Sequence, residues 1–140
     1  KDHVHLVAEA HSKQALSRAM KGLAVRLARA INRVLGRKGA VFAERYHQRV
    51  LSTPRQVRNA LAYLLCNGRK HGHAPRVSGW LDPCSSSASF DGWSRPVSAA
   101  ATATDRLAEP RTWLLRVGWR RRGLISPDHR PGRMPERART

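Results

Sequence analysis

The stretch "DHVHLV", residues 2–7, is where the reading of the fold turns. His3 and His5 are separated by one residue, and Val4 and Leu6 alternate with them. In an extended chain, side chains of period two share a face, so His3 to Ala8 reads as a short strand. Both imidazoles then stand on one side of it.

From Ser12 onward the period changes. Leu16, Met20, Leu23, Leu27, Ile31 and Leu35 recur at spacings of three and four, an apolar stripe along a helix. Ser12 is placed to cap its start, and Gly36 and Gly39 to end it. The opposite face carries Lys13, Arg18, Lys21, Arg26, Arg29 and Arg33, which suits either a solvated surface or one that tracks phosphates. "AVFAERYHQRVL", residues 40–51, is rich in Val, Phe and Tyr and reads as a second strand. "STPRQVRNALAYLLCNG", residues 52–68, gives a second helix, with Thr53 as N-cap, Pro54 in its first turn and Gly68 as its stop. Val57, Ala60, Leu61, Leu64 and Leu65 form its expected core stripe. Asn59, Tyr63 and Asn67 follow one another at intervals of four on a different face.

Patterns weaken after Gly72. "DPCSSSASFDGW" is turn-rich, "RPVSAAATATD" has little core-forming capacity, and "EPRTWLLRVGWRRRG" allows one short helix near 110–122. The closing Pro- and Arg-rich residues read as disordered.

Composition narrows the partner. The chain has 27 basic and 9 acidic side chains in 140 residues, a net charge of +18, which draws it to a polyanion: nucleic acid or an anionic membrane surface. Residues 1–79 hold 16 Lys/Arg against 3 Asp/Glu, and residues 80–140 hold 11 against 6, so the first part is the more basic. No apolar run approaches a membrane span, no signal peptide is expected, and the stripe of the first helix is needed to cover a sheet rather than a bilayer. Cys66 and Cys84 lack a CxxC spacing, so neither a disulfide nor a zinc framework is expected, and a reducing cytoplasm is the expected compartment.

A shared strand face lets His3 and His5 offer two nitrogens to one divalent ion. Tyr63 and Asn67, one turn apart, could add a phenolic oxygen and a carbonyl oxygen suited to Mg²⁺ or Mn²⁺. A phenol is a weak nucleophile unless its target is polarised, which a divalent ion on a phosphodiester achieves. The plainer alternatives are two exposed histidines that contact phosphate and a tyrosine that packs beside its helix's core stripe.

In order and spacing, "DHVHLV", the amphipathic helix, "GAVFAERYHQRVL" and "VRNALAYLLCNGRKHG" resemble the REP-associated tyrosine transposases. These are IS200-like members of the HUH single-strand nuclease superfamily, and the resemblance covers about residues 2–72. It implies an α+β, partial ferredoxin-like HUH domain over residues 1–79. In that domain strand-helix-strand-helix is retained, the first strand-helix-strand is missing (an N-terminal truncation), and residues 80–140 form a largely irregular basic extension. It implies His3, His5 and Asn67 as ligands of Mg²⁺ or Mn²⁺ and Tyr63 as the nucleophile, although "NGR" at 67–69 replaces the family's Asn-Pro-Val. The implied reaction is attack of Tyr63 on single-stranded DNA, giving a 5′-phosphotyrosine and a free 3′-hydroxyl, and reversal by another 3′-hydroxyl. The expected partners are single-stranded or hairpin DNA and a second copy in a homodimer, with no membrane. Charge and aromaticity alone nominate Arg26, Arg29, Arg33, Arg37, Lys38, Arg45 and Arg49 for phosphates, and Tyr46 or Trp80 for bases. A non-catalytic basic nucleic-acid-binding module is the competing expectation.

Overall fold

The computed structural model of the chain describes residues 3–70, 72, 75, 77–97 and 107–132. Its helices are α1 (Lys13–Val34), α2 (Pro54–Leu65), α3 (Asn67–Lys70) and α4 (Trp113–Arg116), with 3₁₀ turns at Ser86–Ser89 and Gly118–Arg122. The chain divides into two compact units, Ala8–Val50 and the pair of segments Lys1–Val7 with Leu51–Thr140.

The expected α+β ferredoxin-like sheet is not there. Among the described residues there are no strands, and one isolated bridge, Trp93 with Ile125, is the only β pairing. Residues 3–10 and 45–51 are irregular rather than laddered. Alternation can keep a segment extended, but a strand exists only where its N–H and C=O groups meet a partner. No ladder is assigned to these segments among the described residues, and Val4 and Leu6 are 62% and 51% exposed.

The helices arise where their caps place them. Ser12 Oγ accepts from the Ala15 N–H at 3.1 Å, opening α1. At its other end Gly36 takes φ +59°, the Gly36 N–H reaches Arg33 O, and the Arg37 N–H reaches Asn32 O at 2.9 Å. That pair of bonds is a Schellman closure, which the left-handed glycine permits. None of the residues of α1 is buried.

α2 opens with a capping box: the Gln56 N–H donates to Thr53 Oγ1 at 3.2 Å, and Gln56 Oε1 accepts from the Thr53 N–H at 3.2 Å. It ends at Leu65, before Gly68, so Gly68 is not its stop. Gly68 is buried in α3, where an added Cβ would lie 2.7 Å from Asp82 Oδ2 and 3.1 Å from the Trp80 ring. Close packing of α3 on Trp80 and Asp82 therefore demands the glycine.

The core of this unit joins Val57, Ala62 and Cys66 to Trp119 and Ile125, with Leu51, Leu61, Phe90, Trp93, Leu114 and Leu115 against them. Its buried stripe is rotated from the expected one toward Ala62 and Cys66, because the covering residues come from 113–125. Two arginines fasten α2 and α3 to the later residues of this same unit. Arg58 donates to the carbonyls of Gly123 and Leu124 at 2.8 and 3.1 Å. Arg69 donates to the carbonyls of Pro127, Val77 and Trp80 and pairs with Asp128 at 2.8 Å. Asp128 in turn accepts from the Gly79 N–H, the Ser78 hydroxyl and Arg95.

Candidate tyrosine–histidine site

Tyr63 lies on α2 and is only half-buried. The His5 ring meets it edge to face, with centroids 5.2 Å apart and planes at 89°. His3 stands 6.2 Å from His5, the rings tilted by 51°. Sequence separation of nearly sixty residues is thus closed between the segment bearing the histidines and the helix bearing the tyrosine, both within one unit. Such edge-to-face aromatic pairs are worth roughly 0.5–1.5 kcal/mol beyond the area they bury.

The Lys70 ammonium completes the group. Its Nζ donates to Tyr63 Oη at 3.3 Å and lies 4.5 Å from the ring centroid, so a fixed positive charge rides over the hydroxyl end of the ring. Sequence reading missed Lys70. No local spacing signalled it, because the helix breaks at Cys66 between Tyr63 and Lys70.

Asn67 is positioned differently from the expectation of one continuous helix. Cys66, the C-cap of α2, has φ −105° and ψ 14°, and Asn67 begins the separate short helix α3. Its Oδ1 is buried and accepts no hydrogen bond. An orphaned buried acceptor costs about 1–3 kcal/mol, and native proteins hold few of them.

His3 and His5 are exposed, whereas Asn67 Oδ1 is buried. Two imidazoles on one ion place their centroids roughly 4.5–6.5 Å apart, given metal–nitrogen distances near 2.1 Å. The His3–His5 pair falls within that span. A side-chain amide oxygen such as Asn67 Oδ1 is a hard ligand of the kind Mg²⁺ and Mn²⁺ accept. No three His, Cys, Asp or Glu side chains gather into a metal-holding group among the described residues.

The cysteine beside the site is inert. Cys66 is buried, and burial pushes its thiol up to about 11 against a smaller opposing pull from the Arg69 guanidinium.

The residues nominated for phosphate contact, Arg26, Arg29, Arg33, Arg37, Lys38, Arg45 and Arg49, are all exposed and all belong to the Ala8–Val50 unit. Arg37 is partly held, donating from Nε to Asn32 Oδ1 at 3.1 Å. Of the two aromatics, Tyr46 is exposed, whereas Trp80 packs over Gly68 with the Arg69 guanidinium 5.9 Å from its ring centroid. Among the described residues no helix is long and apolar enough to cross a membrane. No protein-family model matches the chain, and no curated protein and no solved structure matches it either.

Proposed function

We propose that this chain binds single-stranded DNA, including hairpin-bearing strands, and cuts and rejoins it through a covalent Tyr63 intermediate. The observation that carries the reading is that His5 and Lys70 both contact Tyr63. The family resemblance of residues 2–72 and the charge of +18 support it further. Tyr63 Oη forms a bond to the scissile phosphorus and gives up its proton to solvent. The bond to the 3′-oxygen breaks, and that oxygen takes a proton from water. A 5′-phosphotyrosine and a free 3′-hydroxyl result, and attack by a second 3′-hydroxyl reverses the step with the bond energy conserved. Lys70 donates to Oη where negative charge collects, both as the phenol attacks and as it leaves. Mg²⁺ or Mn²⁺ held by His3, His5 and Asn67 would supply Lewis-acid polarisation of the phosphate. The free thiols of Cys66 and Cys84 suit a reducing cytoplasm.

A second reading, a non-catalytic nucleic-acid-binding module, is favoured by the exposed arginines of Ala8–Val50. Incubating the full chain with a hairpin-bearing single strand and Mn²⁺ separates the two. A covalent adduct lost in Tyr63→Phe is expected. An adduct that persists in that variant removes Tyr63 as nucleophile, and no adduct in the unaltered chain leaves the binding module.

A further inference from the structure

We infer that residues 113–122 form a second contact for single-stranded nucleic acid, built on Trp113 and the arginines around it. Two tryptophans six residues apart meet different fates here. Trp119 is 1% exposed, donates from Nε1 to Leu115 O at 3.1 Å and stacks on Phe90 at 5.5 Å. Trp113 is 50% exposed. Thr112 caps α4 by accepting from the Leu115 N–H, and the helix turns Leu114 and Leu115 toward the core and leaves Trp113 outside. The Trp113 ring lies against the backbone at Gly118, where an added Cβ would come within 2.7 Å of it. A large flat ring is thus propped on main chain with much of its surface open.

The charges nearby divide in the same way. Arg120 is committed to structure, pairing with Asp91 at 2.7 Å and lying over Trp119 at 4.8 Å. The Arg121 guanidinium lies over the half-exposed Trp113 ring, 5.1 Å from its centroid. Arg116, one turn after Trp113, and Arg122 are exposed, and among the described residues Arg116, Arg121 and Arg122 form no ion pair.

A half-exposed indole ring, with the Arg121 guanidinium over it and the exposed Arg116 and Arg122 in the same segment, matches an unstacked base and its phosphates. Duplex DNA is a poorer fit, since α4 is a single turn and cannot lie along a major groove. A bilayer surface is poorer too, since docking there calls for a long amphipathic helix. The contact needs none of the chemistry at Tyr63, so Tyr63→Phe, which ends strand transfer, leaves it intact.

The test uses the full chain and single-stranded oligo(dT), some thymines replaced by 5-iodouracil for photocrosslinking. A crosslink at Trp113 is expected. Trp113→Ala should weaken oligo(dT) binding at least roughly fivefold, with the salt dependence unchanged because no charge is lost. Trp113→Phe should keep most of the affinity, which separates stacking from a folding defect. Arg121→Gln should lower the slope of log affinity against log salt by about one. Crosslinks confined to other residues, or unchanged affinity in Trp113→Ala, would overturn the inference. So would a Trp113→Ala defect seen with phosphatidylglycerol vesicles and not with oligo(dT).

Discussion

α1 and α2 are similarly amphipathic helices with good N-caps, yet they live differently. α2 buries Val57, Ala62 and Leu65 beneath the 113–125 segment. α1 is almost twice as long and buries nothing. Its Leu16, Met20, Leu23, Leu27 and Ile31 are half-buried, and Val34 is 84% exposed. An apolar stripe states that a helix has a face to cover, not that a cover exists. Helix propensity, caps and the Schellman closure hold the turns of α1, whereas packing holds those of α2.

The contrast breaks most visibly at Trp119. Trp119→Ala removes the largest buried side chain and should cost about 3–5 kcal/mol in denaturant unfolding of the unit containing α2. Hydrogen exchange should show α2 amides losing protection in that variant, with those of α1 unchanged.

A smaller effect follows from Cys66. Its thiol is raised from 9.0 to about 11 in the folded chain, so folding favours the protonated form. The stability linked to that proton is complete below pH 9 and is lost as pH rises through 11. Unfolding midpoints measured across this window should fall, and Cys66→Ala should flatten the fall. An equally steep decline in the variant would assign it to other groups.

The smallest expected effect sharpens the comparison. Leu23→Ala on α1 should change stability by less than about 1 kcal/mol, whereas Leu65→Ala on α2 should cost about 2–4 kcal/mol. Equal losses would mean that the stripe of α1 is covered after all.

What the sequence disclosed follows the range of the forces involved. Both long helices and their N-caps were legible, since such a cap spans three residues and an amphipathic stripe repeats locally. The short turn of helix in "RTWLLRVGWRRRG" was legible for the same reason. The strands were not, because a ladder is made between distant segments, and the alternation in "DHVHLV" and the Val, Phe and Tyr of residues 40–51 could not supply the partners. Gly68 was read as a helix stop because glycine commonly ends helices, whereas its real constraint is the Trp80 ring twelve residues on. At the candidate site the meeting of His5 with Tyr63 came out of motif order. Lys70, the break at Cys66 and the orphaned Asn67 oxygen needed three-dimensional placement.

The arginine straps also impose an order of events during synthesis. Arg58 and Arg69 bind carbonyls 58 to 66 residues further along the chain. At roughly 5–20 residues per second, a ribosome that has just made α2 needs about 3–12 s more to make what covers it. For that interval the Val57, Ala62 and Cys66 face stands uncovered on a nascent chain, open to chaperones and to wrong partners. A message cut short before the codon for Trp119 would leave it that way for good.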